Sequence, residues 1–130
     1  MSRKNIYSGA KWEDIIGYSR AVVFGNTIEV TGTVAVDAQN MPVGKGDAYA
    51  QTVFILQKIE RVLQEGGFEL RDVVRTRMFV TDISKWEDYG RAHAEYFRDI
   101  KPCTTMVEVS KLIGPDYLIE IEVTGMREEK

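Results

Sequence analysis

The most constraining feature of this sequence is a pair of strand-forming runs within residues 101–124, separated by Gly-Pro-Asp. Glycine and proline at that point favour a turn between the two runs. In each run the residues alternate, and side chains in a strand change face at every residue. The predicted faces are Ile119, Ile121 and Val123 against Glu120, Glu122 and Thr124, and Thr104, Met106 and Glu108 against Thr105, Val107 and Val109. What meets the carboxylate-bearing face is therefore the main question about function.

Length and composition set the class of protein. The chain has 130 residues, 44% of them apolar and 28% charged, which predicts one soluble globular domain over residues 1–130. The net charge of −3 does not favour nucleic acid or an anionic membrane as partner. No apolar run has the roughly 20 residues that span a bilayer, and the first residues lack the apolar segment of a signal peptide. Cys103 is the single cysteine, which favours a reducing, cytoplasmic location.

The order of predicted elements is ββαβαββ, an α+β fold. Strands are predicted at residues 20–24 and 27–36, joined by a Gly25-Asn26 hairpin turn, and at residues 72–82. Helices are predicted from the N-cap Asp47 to residue 65, and over residues 85–98 after a capping box formed by Ser84 and Glu87. Residues 1–17 are predicted to be irregular, with Trp12, Ile15 and Ile16 packed on the body. A mixed sheet with both helices on one face would bury the apolar half of every strand.

The opposite face of this sheet is unusually polar. By alternation it would carry Arg20, Glu29, Thr31, Thr33, Arg75, Arg77, Thr104, Glu108, Glu120 and Glu122. One interpretation is a face exposed to water. The other is an oligomer interface or cleft, in which arginines and glutamates pair between subunits. Phe24, Phe79 and Met106 on or near that face favour partial burial, because apolar side chains gain nothing from a fully hydrated face.

Several segments together resemble one known family. They are Gly17-Tyr18, Gly25-Asn26, Val30-Thr31-Gly32, Asp72-Val73-Val74-Arg75-Thr76, Phe79-Val80-Thr81-Asp82, Pro102, Val107-Glu108-Val109 and Ile119-Glu120-Ile121-Glu122. The chain is similar over nearly its whole length to the Rid/YjgF family, the reactive intermediate deaminases, also called endoribonuclease L-PSP proteins. The resemblance implies a chorismate-mutase-like homotrimer, in which three sheets form a central barrel, helices lie outside, and ligand clefts lie between subunits.

The resemblance also implies site residues. In the imine and enamine hydrolases of the family, a glutamate in the last strand positions the attacking water, and it matches Glu120 as the catalytic residue. A tyrosine and a hydroxyl residue that line the pocket match Tyr18 and Thr31. The family's substrate-binding arginine falls at Thr104, and its helix asparagine falls at Gly90. Losing a bidentate arginine costs ~1.5–3 kcal/mol, roughly ten- to a hundredfold in binding, so weak hydrolysis of 2-aminoacrylate is expected.

If the ligand is an acid, another cation must replace the missing arginine, because a buried carboxylate needs a partner. Arg20 and Arg77 are the predicted replacements, with Phe79 as an apolar wall of the cleft. The competing interpretation is that each arginine pairs with a glutamate inside the barrel. The complete predicted set of substrate-binding residues is Tyr18, Arg20, Thr31, Arg77, Phe79, Thr104 and Met106.

Other candidate residues have a structural explanation that is preferred. Cys103 fits a small apolar residue better than a reactive thiol, and His93 fits a packed residue on the aromatic side of the second helix. No residues have metal-ligand or phosphate-loop spacing, so no metal or cofactor is predicted. Three functions stay open: an enzyme acting on imines, enamines or related small organic acids, a non-catalytic metabolite-binding or protective protein, and an RNA-binding endoribonuclease or translation inhibitor, which the acidic balance disfavours.

Overall fold

The computed structural model describes residues 2–128, which form one mixed six-stranded sheet with two helices packed on one of its faces. The strands are β1 (Arg3–Ile6), β2 (Ala21–Phe24), β3 (Thr27–Thr33), β4 (Val73–Val80), β5 (Cys103–Glu108) and β6 (Ile119–Met126), and the helices are α1 (Ala48–Glu65) and α2 (Trp86–Phe97). This confirms the predicted α+β fold and its helix order. The predicted element order is incomplete, because β1 precedes it.

The prediction that residues 1–17 are irregular is therefore wrong in part. β1 pairs antiparallel with β2, with Ile6 opposite Ala21, and Ile6 is buried in the core. A helical turn at Glu13–Gly17 follows, and Gly17 ends it with a φ of +91°, a conformation that glycine adopts without steric cost. Trp12, Ile15 and Ile16 were predicted to pack on the body, but within one chain they are 45%, 66% and 62% exposed.

The sheet order is β1-β2-β3-β6-β4-β5, so the two C-terminal strands are not neighbours. β4 lies between them, antiparallel to β6 and parallel to β5. Because α2 connects β4 to β5, the chain returns in the same direction and places β5 at the edge of the sheet. The Gly25-Asn26 hairpin is confirmed, with Phe24 opposite Thr27.

The helix boundaries show one correct and one incorrect capping prediction. The Asp47 side chain accepts a hydrogen bond from the Ala50 backbone N–H at 2.9 Å, which confirms it as the N-cap of α1. The predicted box of Ser84 and Glu87 is wrong, because α2 begins after Lys85 with no side-chain cap. Asp82 instead accepts from the Ser84 N–H at 3.0 Å and from its hydroxyl at 2.5 Å, capping a short turn at Ile83–Lys85.

The helix-facing side of the sheet forms a continuous apolar core with α1 and α2. Its buried members include Ile28, Val30, Ile55, Leu56, Ile59, Leu63, Met78, Val80, Tyr89, Phe97, Ile119, Ile121 and Val123. This is the apolar face predicted for β6. Neither helix in the described part of the chain has the length and apolar composition needed to cross a lipid bilayer.

Three residues assigned to the polar face lie on the helix side instead. Thr33 is buried, because a β-bulge between Val30 and Thr33 shifts the alternation of β3. Thr104 and Glu108 pair in register with the buried residues Thr76 and Val80 of β4, and paired residues of neighbouring strands share a face. Met106, which lies opposite Met78, is on the helix side for the same reason.

Candidate functional site

The site is built around Glu120 at the beginning of β6. In the sheet register Glu120 lies opposite Phe79 of β4, and both project from the face that carries no helix. On the side of β6 towards β3 the Glu120 carboxylate packs over Gly32, and a Cβ at position 32 would require the carboxylate to move. The glycine therefore allows the close approach that positions the carboxylate, within the irregular stretch that follows the bulge in β3.

Burial raises the pKa of the Glu120 carboxyl group above its usual 4.5. The positive charge of Arg20 opposes this shift, and the negative charge of Glu122 adds to it. Since burial and a like charge both disfavour the ionised form, Glu120 holds a proton more readily than an exposed glutamate. A carboxyl group with a raised pKa can exchange a proton with water or with a bound molecule more readily than an exposed one.

Arg20 precedes β2 and is the cation whose charge acts on Glu120. Its Nη1 donates to Thr33 Oγ1 at 3.4 Å, whereas its Nε is buried without a hydrogen-bond partner among residues 2–128. The guanidinium lies 5.9 Å from the centre of the Tyr18 ring. Within the described part of the chain, no carboxylate lies within ion-pair distance of Arg20. A buried donor left unpaired is costly, so Arg20 has capacity for one more partner.

Arg77, the other predicted clamp, is already paired. Its Nη1 lies 3.4 Å from Glu122 Oε1, and the two residues face each other across β4 and β6. The side chains are 45% and 38% exposed, so the ion pair is screened by water. Arg77 therefore pairs with a glutamate, as the competing interpretation proposed. Arg20 has no such pair among residues 2–128. Phe79 lies beside Glu120 and is partly buried, as expected for an apolar wall.

Tyr18 and Thr31 line a concave surface next to this group. It encloses about 480 Å³ and is bordered by Arg3, Asn5, Tyr7, Glu13, Asp14, Gly17, Tyr18, Ser19, Val22 and Thr31. Thr31 Oγ1 donates to the Ser19 carbonyl at 2.5 Å, and Asn5 Nδ2 donates to Ser19 Oγ at 2.8 Å. The concave surface and the Glu120 group are contiguous in the chain, because Gly32 follows Thr31 and Arg20 follows Ser19.

Thr104 and Met106 do not join this group within one chain. Thr104 lies on the helix side of the edge strand, and its hydroxyl is 2.9 Å from Thr76 Oγ1 and 3.4 Å from His93 Nε2. Along β4, the partner of Thr104 is three residues from the partner of Glu120, a separation of roughly 10 Å in addition to the opposite faces. A small ligand cannot contact both residues of the same chain.

Sequence reasoning missed the supporting residues of the site. Gly32 was named as part of an alternating strand and of the Val30-Thr31-Gly32 segment, with no role of its own, although a glycine inside a strand often marks a bulge or a close approach. Asn5 lies in the segment 1–17 that was predicted to be irregular, and Ser19 lies between that segment and the predicted strand at 20–24. Across residues 2–128 no group of three or more His, Cys, Asp or Glu side chains is arranged to bind a metal ion.

Comparison with known proteins places the chain among related sequences and folds. The family model described as Endoribonuclease L-PSP matches residues 9–126. A RutC family protein of Sulfurisphaera tokodaii is 39% identical over 106 residues, covering 82% of this chain and 84% of the relative. The 3-aminoacrylate deaminase RutC of Acinetobacter baylyi is 37% identical, covering 80% and 82%. A Mycobacterium tuberculosis member of the YjgF/YER057c/UK114 family is 45% identical, with a TM-score of 0.87 over 97% of this chain and 100% of that one.

Proposed function

This chain belongs to the endoribonuclease L-PSP family, also called Rid/YjgF, and we propose that it hydrolyses imines or enamines of small organic acids in clefts between subunits. The observation that carries the proposal is the partly buried Glu120 carboxylate with its raised pKa, packed over Gly32 beside Arg20. A relative described as a 3-aminoacrylate deaminase supports chemistry at a carbon–nitrogen bond. In the reaction, water adds to the imine carbon, ammonia leaves, and a carbonyl compound remains.

In this proposal each residue of the group has one role. Glu120 accepts a proton from the attacking water and returns it to the leaving amine. Arg20 binds the carboxylate of the substrate, because a guanidinium matches a carboxylate with two parallel hydrogen bonds. Tyr18 and Thr31 border the cleft, and Phe79 shields the carbon–nitrogen bond from bulk water.

The cleft is proposed to lie between two subunits of a homotrimer. Glu120 and Thr104 occupy opposite faces of the sheet in one chain, so both meet one small ligand only when they come from different copies. The polar face of the sheet also leaves Phe24 and Val107 49% and 42% exposed, which favours a partner surface there. Since Thr104 stands where the family has arginine, slow turnover of 2-aminoacrylate is expected.

Replacement of Glu120 by glutamine tests the proposed reaction. The substrates are 2-imino acids formed in situ by an amino-acid oxidase, with ammonia release as the readout. We expect Glu120→Gln to lower the rate by about 10²-fold or more, because general acid–base catalysis contributes about 10²–10⁴-fold. Glu122→Gln is the matched control, since Glu122 lies on the same strand and face but is paired with Arg77. Equal rates in the wild type and Glu120→Gln would contradict the proposal, and saturable binding without turnover would favour a metabolite-binding protein.

The two arginines provide a second test. Arg20→Met should abolish the thermal stabilisation that 2-oxobutanoate gives to the protein, because the proposed carboxylate clamp is removed. Arg77→Met should keep that stabilisation and change the free energy of unfolding by only ~0–1 kcal/mol, as the ion pair with Glu122 is largely exposed. If Arg20→Met keeps the full response to 2-oxobutanoate, Arg20 is not the clamp.

A further inference from the structure

A hydrogen-bonded cluster of three polar side chains lies at the open edge of the sheet, on the helix side. Thr76 Oγ1 is 2.9 Å from both His93 Nε2 and Thr104 Oγ1, and Thr104 Oγ1 is 3.4 Å from the same imidazole nitrogen. Thr76 is fully buried, His93 is partly buried and Thr104 is exposed. The cluster therefore connects a buried hydroxyl group to a hydroxyl group that faces solvent.

The side of α2 next to this cluster is exposed at its N-terminal end and buried at its C-terminal end. At helical spacing Trp86, Gly90, His93 and Phe97 lie along one side of α2, and Trp86 is 56% exposed. A side chain at Gly90 would contact nothing, so packing does not require glycine there, although glycine costs about 0.5–1 kcal/mol relative to alanine inside a helix. The surface of α2 one turn before His93 therefore carries no side chain.

The hydrogen bonds of the cluster restrict what Thr104 can offer. The Thr76 hydroxyl has one proton, so it can donate to only one of its two partners and must accept from the other. If His93 Nε2 carries the proton, Thr76 accepts from His93 and donates to Thr104, whose own proton can go to the Pro102 carbonyl at 3.3 Å or to a ligand. If Nε2 is bare, Thr104 donates inward and offers a ligand only its lone pairs.

The cluster itself supplies only uncharged hydrogen-bonding groups. None of its three side chains is hydrogen-bonded to Lys or Arg among residues 2–128. Burial lowers the pKa of the His93 imidazole, which keeps the ring neutral near neutral pH. A carboxylate placed against Thr104 would lose water without gaining an opposite charge, and that loss is unfavourable. An amide, a hydroxyl or a carbonyl group would exchange its hydrogen bonds with water for equivalent ones.

We propose that Thr104, oriented by Thr76 and His93, selects ligands that present an uncharged hydrogen-bonding group at this end of the cleft. The inference rests on the proposed function, in which Arg20 holds a carboxylate at the other end. The substrate class is then a monocarboxylic imine or enamine with an amide, hydroxyl or carbonyl group at its far end. Thr104 contacts the ligand, whereas Thr76 and His93 are positioning residues.

Matched compounds that differ at one end test this selectivity. The pairs are malonamate and malonate, succinamate and succinate, and glutaramate and glutarate, with propanoate as the monoacid that has no second polar group. We expect at least one monoamide to bind about tenfold or more tightly than its diacid, a difference of about 1.4 kcal/mol. His93 is the only histidine of the chain, so ¹⁵N-histidine labelling gives one imidazole whose shifts should change with that monoamide.

Variants of the cluster separate selectivity from folding. Thr104→Val keeps the shape and removes the hydroxyl, so it should remove the preference for the monoamide while propanoate still binds. Thr76→Val should reduce the preference and alter the His93 shifts in the free protein. Thr104→Arg should reverse the preference in favour of the diacid.

Binding of propanoate shows whether a negative result overturns only this inference or also the proposed function. If propanoate binds and each monoamide binds no better than its diacid, or Thr104→Val keeps the preference, the inference is wrong and the proposed cleft stands. If none of the compounds binds, both the inference and the proposed function fail.

Discussion

Glu120 behaves differently from a surface glutamate because of what surrounds its carboxylate. The backbone of Gly32 lies directly beneath it, Phe79 lies beside it, and Arg20 is the nearby cation that acts on it. Arg77 lies on the same face as Glu120 but forms an ion pair with Glu122. Two arginines near the carboxylates of β6 therefore differ in their availability to a ligand.

The raised pKa of Glu120 predicts a pH-dependent effect on stability. The folded chain keeps this proton to a higher pH than the unfolded chain, in which the pKa of the carboxyl group is about 4.5. The contribution of this proton to the free energy of unfolding is fully present below pH 4.5 and is lost as pH rises through the raised pKa. Glu120→Gln cannot ionise, so its melting temperature should exceed that of the wild type at about pH 8 and match it at about pH 4. A variant that melts below the wild type by an amount that grows with pH would contradict this.

At the scale of elements, the sequence predicted α1, α2 and the strand cores well and the ends of elements less well. Apolar periodicity is strong in α1 and in β6, where tertiary burial agrees with the local pattern. β5 was assigned to the wrong face, because it is an edge strand whose two sides are both largely exposed and whose alternation is weak. The bulge in β3 has only one sequence signal, Gly32, so the shift in its alternation was not predictable from parity.

The two capping motifs give a prediction about helix stability. Asp47→Ala removes the hydrogen bond to Ala50 and should lower the free energy of unfolding by ~1 kcal/mol, within a usual range of about 0.5–2. Glu87→Ala is the control, because α2 has no side-chain cap and Glu87 contributes only its charge near the helix N-terminus. That change should cost about 0.3–1 kcal/mol or less. Urea denaturation of both variants measures the difference, and an equal or larger loss in Glu87→Ala would contradict the assigned caps.

At the scale of the whole molecule, one chain contains two groups of polar residues on opposite faces of its sheet, which we propose as half-sites of the intersubunit cleft. Glu120, Arg20 and the concave surface form one, and Thr104 with its buried partners forms the other. The sequence identified most of these residues through a family resemblance, but strand parity placed Thr104 on the wrong face. Exposed apolar side chains around the first half-site, Trp12, Ile15 and Ile16, fit a surface that another copy covers.

The mass of the protein in solution tests this account most directly, because the proposed cleft exists only between copies of the chain. Light scattering after size-exclusion chromatography at micromolar concentration should give about three times the chain mass of 14.8 kDa. The value should not change on dilution across the micromolar range. A mass of one chain under the same conditions would contradict the barrel, the intersubunit cleft and the joint action of Glu120 and Thr104 on one ligand.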